Sequence, residues 1–379
     1  MRRAWGEPPW RLPSLPALAP ACRAGGTGRP PPAATAEAII IGAGLTGMAA
    51  AYHLARRGLA PLVLEAAAIG DGASRRTGGI VLDGTARGGL EGSTGALDEL
   101  ARLVALERID CGLQLGGCWE LEHRAPGSAK PPLWTDNGVE LAVRASVPGG
   151  TVDPAALLGG LALAAHRAGA RLYEHTAVKK LDLAPKPQLE LAGTVIRPRL
   201  VIVALNAWMA SMLPGVRPVT SAFTFACATE PLAPAVLETV GLAAGTPFYT
   251  IDLPYLWGRP LADGRVVFGS GLIFLAPDQL ERFDIAQEEP QALLARLESR
   301  VRKLHPALEN IGFSARWAGP VAIPENFTPI IGRMRQAPQV LVAGGYAGHG
   351  VALSVRAGRL LAEAALDARP LPVWSEPQL

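Results

Sequence analysis

Cysteine is scarce: Cys22, Cys111, Cys118 and Cys227 are the only four in 379 residues. None stands in a CxxC pair, and no histidine lies at zinc-ligand spacing from them. A disulfide framework and a metal site are therefore not expected, and free thiols in a reducing compartment are. Long apolar runs are missing as well. No stretch approaches the roughly 18 residues that a membrane span needs. Charge of one sign is not in excess either. The formal charge is +3, from 36 basic and 33 acidic residues, which is too balanced for a nucleic-acid partner.

Acids are almost absent from the N-terminal stretch, where Glu7 is the only one before Glu37. Residues 1–35 are rich in Pro, Arg and Ala, and lack periodicity or a continuous apolar segment. They read as a disordered N-terminal extension. Three origins fit it: plain disorder or a start codon placed too far upstream, a mitochondrial-type transit peptide, or a twin-arginine export signal at Arg2-Arg3. A cytoplasmic protein is expected, or a mitochondrial one if the extension is a transit peptide.

What is present begins at Ala38. Hydrophobic residues make up 49% of the chain and charged residues 18%, enough for a large core in a two-lobed protein. Ala38-Ile39-Ile40-Ile41 is an unbroken apolar run, as in a strand buried on both faces of a parallel sheet. Gly42, Gly44 and Gly47 follow at GxGxxG spacing, with Leu45 and Thr46 between them. Gly42 permits the tight turn, Gly44 the approach of a pyrophosphate, and Gly47 close packing of helix on strand. Leu45, Met48, Ala49, Tyr52 and Ala55 recur on one helix face. The free N–H groups and positive dipole at that helix start suit a diphosphate. A second strand ends at Glu65, about twenty residues on, where a carboxylate can accept both hydroxyls of an unphosphorylated ribose. The next segment, Gly70 to Gly79, is a loop with two cations and two hydroxyls: either a flexible connection or, from its place directly after the acid, a cover for a cofactor.

Further along, helices are predicted over 97–107, from Asp153 as N-cap and Pro154 to Gly169, over 290–304, and over 351–366. Strands are predicted at 117–121, 171–173, 176–183, 188–191, 200–204 and 340–343. Residues 220–273 alternate and are rich in aromatics, with Asp263-Gly264 as a hairpin turn, which predicts an antiparallel sheet. The last buried strand runs into Gly344-Gly345-Tyr346-Ala347-Gly348-His349-Gly350. A nicotinamide enzyme needs only one glycine turn. A second helix N-terminus would stabilise the edge of a flavin that becomes negative on reduction, which favours FAD over NAD.

These segments carry a resemblance. In order along residues 38–367, the chain resembles the FAD-dependent D-amino acid oxidase superfamily, which holds glycine oxidase, sarcosine oxidase and gamma-glutamylputrescine oxidoreductase. The matching stretches are 39–65, 72–79, 176–178, 203–208, 228–232, 317–332 and 344–361. The loop at Gly72 and the segment Ala228-Thr229-Glu230-Pro231-Leu232 look most like the gamma-glutamylputrescine oxidoreductase branch. The resemblance implies an α/β protein (α+β overall), with a Rossmann-type FAD-binding lobe at 36–90, 150–222 and 310–379. An antiparallel-sheet substrate lobe would occupy 91–149 and 223–309. It implies that Gly42, Gly44, Leu45, Thr46, Gly47 and Glu65 hold the ADP half, and that Ser74, Arg76, Thr77, Gly78 and Gly79 line the loop over the pyrophosphate and ring. Val178, Ala204 and Trp208 would border the cofactor, and Gly348, His349, Gly350 and Val351 would face the pyrimidine edge.

Departures from the family pattern matter too. No cysteine follows Cys227 and no histidine lies between Arg75 and Gly79, so the FAD is expected to be noncovalent. The residue three after His349 is Ala352 where sarcosine oxidases have a lysine, and Ala318-Gly319-Pro320-Val321 offers no arginine, so the usual carboxylate clamp is missing. Pro324-Glu325-Asn326 replaces a common Thr-x-Asp. Residues 181–302 hold only Lys186, so the lysine that promotes reaction with oxygen has no counterpart.

The implied reaction is oxidation of the C–N bond of a small amine or amino acid to an imine. Electrons would pass to oxygen or another acceptor. A same-fold dehydrogenase feeding a quinone or carrier, and an idle flavoprotein acting in assembly, are the alternatives. His349 is the candidate group near the ring, or else a helix cap, and Tyr346 either lines the site or packs. Tyr249, Tyr255 and Trp257 form a cage for a cationic amine or part of a core. Asp252 pairs with an ammonium or stays a surface acid. Oligomeric state is left open.

Overall fold

The computed structural model describes residues 3–13, 35–124, 133–184, 186–216, 219–367 and 369–372. Two large sheets organise it. The first is built on Thr35–Ile41, which pairs in parallel with Leu62–Leu64 on one side and Thr194–Val203 on the other. Arg171–Tyr173 extends one edge in parallel, and Val340–Gly344 and then antiparallel Ile330–Arg333 extend the other. Ile39, Ile40, Val201 and Ile202 are fully buried because both sheet faces are covered. Lys180–Asp182 and Gln188–Leu191 form an antiparallel flap on this sheet. The strand predicted at 176–183 is thus only its last part, because Thr176 N donates to Glu65 O instead of joining a ladder.

Helix Leu45–Ala55 was expected to bury one face. Of its eleven residues only His53 is not buried. Helices Pro154–Arg167 and Gly350–Asp367 flank it, and a Cβ at Gly358 would stand 2.5 Å from Ala49 Cβ. The small residues let three helices share one core. The predicted cap is present: Asp153 Oδ1 accepts from Ala155 N and Ala156 N, both at 2.9 Å.

The second sheet has eight strands, with order 313–324, 219–229, 266–275, 257–260, 248–250, 118–124, 139–147, 134–136. All pairings are antiparallel except that of Phe248–Thr250 with Cys118–Arg124. Helix Glu288–Lys303 covers one face through Leu297 and Val301. The division of the chain differs from expectation, since Val219–Thr229 and Phe313–Pro324 are paired to each other in this second sheet.

One expectation fails outright where residues are described. Residues 3–13 are not disordered but packed. Trp5 is fully buried and Trp10 nearly so. Ala318 N donates to Trp5 O at 2.7 Å, Gly6 bridges Trp317, and Ile285 N donates to Ala4 O. The segment covers the open edge of strand Phe313–Pro324, which would otherwise expose unpaired backbone groups. Composition argued for disorder, but two buried indoles outweigh it. Residues 14–34 lie outside the described residues, as does Cys22. The other three cysteines are free and buried. Among the described residues no helix is long and apolar enough to cross a membrane, and no cluster could hold a metal ion.

Candidate active site

The first glycine turn has the geometry its spacing demands. Gly42 has φ +102°, and its N donates to Leu64 O at 2.9 Å. A Cβ at Gly47 would stand 1.9 Å from Gly42 O, so only glycine fits there. Ser74 closes over the turn: its Oγ accepts from Leu45 N at 3.0 Å and lies 2.8 Å from where a Gly44 Cβ would be. The loop at 70–79 is thereby tied to the start of helix Leu45–Ala55, whose first-turn amides have no partners within the helix.

Glu65 sits at the end of its strand. Oε2 accepts from Ala43 N and Oε1 from Ala67 N, each at 2.9 Å. An ionised carboxylate has about four acceptor positions, so roughly half remain for ribose hydroxyls. Burial raises the Glu65 carboxyl above the usual carboxylate range, and the two backbone N–H bonds offset this in part. Thr176 N is held by Glu65 O, which brings Val178 near this end of the sheet, where it packs with the flap core. Ala204 N donates to Ile41 O at 2.9 Å, and Ala204 O backs Gly42. This cradle fits the ADP half of a dinucleotide.

The second turn meets the first. Gly345, Ala347 and Gly348 all have positive φ, which bends the chain from strand Val340–Gly344 into helix Gly350–Asp367, with Val351 buried in its first turn. Asn206 Oδ1 accepts from Gly345 N at 3.0 Å. Tyr346 is buried, and its hydroxyl lies 2.8 Å from Thr46 Oγ1. Burial pushes this phenol up to about 12. Tyr346 therefore packs between two helix starts and joins the two glycine turns. This is the packing alternative of its reading, and Thr46 uses its hydroxyl in the same contact.

Two other residues face elsewhere than expected. Arg76 donates to Asp71 O at 2.7 Å and to Asp71 Oδ1, and its guanidinium lies 4.9 Å from the Trp5 ring. Trp208 stacks on Trp5 at 6.0 Å, with Gly72 beside it. Both side chains tie the loop at 70–79 to the N-terminal segment. Thr77 Oγ1 accepts a long bond from Gly79 N. Gly79 has φ +73°, and a Cβ there would strike Val152 O at 2.3 Å.

Facing the second turn and the loop at 76–78 is one row across the antiparallel sheet. Register pairs Glu120 with Tyr249, Tyr249 with Trp257, Trp257 with Gly269, Gly269 with Ala226, and Ala226 with Trp317. Paired residues share a sheet face, and the contacts show which face this is. Trp317 Nε1 donates to Arg76 O at 2.9 Å, the Trp257 ring fills the space over Gly78 and Gly269, and Tyr249 meets His349 edge-on at 6.3 Å. A Cβ at Gly269 would lie 2.0 Å from the Trp257 ring, so the absent side chain makes room for the indole. Tyr255 Oη lies 3.1 Å from Thr224 Oγ1 and donates to Gly271 O.

His349 is half-buried. Its Nδ1 is inaccessible and has no hydrogen-bond partner, and burial lowers its pKa, which keeps the ring neutral. Tyr249 donates to Glu120 Oε1 at 2.6 Å, and burial followed by that carboxylate raises its pKa. Asp252 does not join this group. It accepts from His123 N at 2.8 Å, in a network that runs from His123 through Asp136 to Arg300. Glu120 was missed in the sequence. The alternation of Cys118–Arg124 assigns its face, but only the non-sequential pairing of that strand with Phe248–Thr250 brings it to the site.

The comparisons agree with this geometry. Residues 37–364 match the family described as FAD dependent oxidoreductase. Gamma-glutamylputrescine oxidoreductase of Escherichia coli (strain K12) is 29% identical over 374 residues, covering 87% of this chain and 83% of that protein. A probable oxidoreductase, OrdL, of Haemophilus influenzae is 29% identical with the same coverage. Among solved structures, glycine oxidase from Geobacillus kaustophilus superposes with a TM-score of 0.73 at 21% identity, covering 89% of this chain and 96% of that one. The chain belongs to the FAD-dependent oxidoreductase family, and the expected fold and cofactor hold.

Proposed function

We propose that the protein oxidises the C–N bond of a small amine to an imine, which water then hydrolyses, using noncovalently held FAD. The observation that carries this reading is the row Glu120–Tyr249–Trp257 set against His349 and the second glycine turn. Gly42, Gly44, Gly47, Glu65 and Ser74 would hold the ADP half, and the turn at Gly348-His349-Gly350 the reactive end. The flavin, when bound, supplies a two-electron acceptor for the C–H bond next to nitrogen.

The chain's own residues do the rest. Tyr249, Tyr255 and Trp257 exclude water and orient the substrate. Helix Gly350–Asp367 aims its positive end at the turn, where it would stabilise negative charge on a flavin held there. A neutral His349 adds a polar ring without a competing cation. The name of the relative in Escherichia coli, an amine-linked oxidoreductase, supports the same class.

An anaerobic screen tests this reading. Small amines mixed with the yellow holoprotein should bleach its flavin absorbance. If no amine does so, the reading falls. Peroxide release in air then distinguishes oxygen from another electron acceptor.

A further inference from the structure

Glu120 holds a half-buried carboxylate with a single partner, the neutral hydroxyl of Tyr249. Among the described residues no arginine, lysine or histidine forms an ion pair with it. Its strand neighbour Glu122 takes Arg124 and Arg144, at 4.0 and 3.9 Å. A carboxylate that is partly desolvated and lacks a counter-charge is costly, and such groups persist where a ligand completes them.

Two of the cations bordering the site are held in ion pairs and a third is buried. Arg75 pairs with Glu7 and Asp71, and Arg76 with Asp71. Arg259, two residues on from Trp257, is buried against Trp10 and Gly79. Arg75 and Arg76 are thus paired with acids, and Arg259, though its Nε has no partner, is buried rather than presented to a substrate carboxylate. The site therefore presents an acid and aromatic faces, which together suit a cation.

The position of the acid sharpens the inference. The Tyr249 ring meets His349, while its hydroxyl meets Glu120. One tyrosine side chain thus separates the acid from the turn that faces the reacting centre. We infer that Glu120, oriented by Tyr249, is a specificity site for a second positive charge on the amine substrate, remote from the nitrogen that is oxidised. The substrate class is then an aliphatic amine with a distal cation and no α-carboxylate. This rests on the amine-oxidation reading above.

Three amines of equal chain length differ only at the far end: 1,6-diaminohexane, hexylamine and 6-aminohexanoate. In anaerobic stopped-flow reduction of the holoenzyme, the diamine should exceed hexylamine in second-order rate constant by about 10- to 100-fold, the worth of a hydrogen-bonded charge. The carboxylate-ended amine should be the poorest. Glu120→Gln should pull the diamine-to-hexylamine ratio toward one, while Glu122→Gln leaves that ratio unchanged. Equal rates for the three amines, or a preference for 6-aminohexanoate, would overturn the inference.

Binding of hexamethonium reads the site without turnover, because its quaternary nitrogens have no lone pair. Calorimetry should show binding to wild type, weakened about tenfold or more in Glu120→Gln and partly in Tyr249→Phe. Absence of wild-type binding would also overturn the inference. Glu120-dependent binding without reduction by any amine would keep the cation site and sink the oxidation reading instead. If Glu120→Gln does not fold, Tyr249→Phe and the wild-type amine ranking decide alone.

Discussion

Replacing Glu65 with glutamine removes one charge and little else. The carboxylate accepts Ala43 N and Ala67 N on different oxygens. A carboxamide can accept at only one of these corners and turns an N–H toward the other backbone donor. One buried donor then goes unpaired, and ribose hydroxyls lose a charged acceptor. A hydrogen bond to a charged group contributes about 1.5–3 kcal/mol. Glu65→Gln should therefore weaken FAD by about 10- to 100-fold, as read by titration of the apoprotein with FAD through flavin fluorescence.

The pH dependence has a definite sign. Burial raises the folded pKa of Glu65 above its ordinary 4.5. Taken alone, that favours the folded apoprotein at low pH, where the carboxyl is neutral, and the advantage is lost as pH rises through the raised value. Ribose hydroxyls donate to the ionised form, so FAD pulls the other way. Wild-type affinity for FAD should fall as pH drops through the raised pKa, in a window above 4.5. The glutamine variant should show no such fall. Affinity of the variant within about twofold of wild type, or slow flavin reduction that saturating FAD does not restore, would refute the placing of Glu65 at the ribose.

Four further outcomes are expected. Tyr346→Phe removes the hydroxyl that meets Thr46 and should lower stability by about 1 kcal/mol in thermal unfolding, while His349→Ala should slow flavin reduction more than it weakens FAD. Trp5→Ala empties a fully buried site under the cofactor loop, so it should cost about 3–5 kcal/mol and speed proteolysis near residues 70–79; unchanged stability would mean that residues 3–13 are not part of the folded protein. Acid precipitation should leave the flavin in the supernatant, and flavin retained in the pellet would reveal a covalent link.

The amino-acid sequence by itself determined the local parts of this protein. The run Ala38–Ile41, the spacing of Gly42, Gly44 and Gly47, and the acid ending the next strand define a dinucleotide turn, because backbone sterics there depend on near neighbours. The Asp153-Pro154 cap and the Asp263-Gly264 hairpin were legible for the same reason. Only the tertiary structure decided the parts made by distant pairings. Whether Tyr346 lines the site or packs was open in the sequence, and its contact with Thr46, 300 positions away, places it in the packing between the two turns. Residues 3–13 looked disordered by composition, yet an open strand edge and an indole-sized gap hold them. Glu120 carried no signal of its own. It meets Tyr249 across 129 residues because a parallel pairing inside an antiparallel sheet sets their register. Local rules fix the turn that would hold the cofactor, whereas the face that would meet the substrate is assembled from strands whose order no local rule specifies.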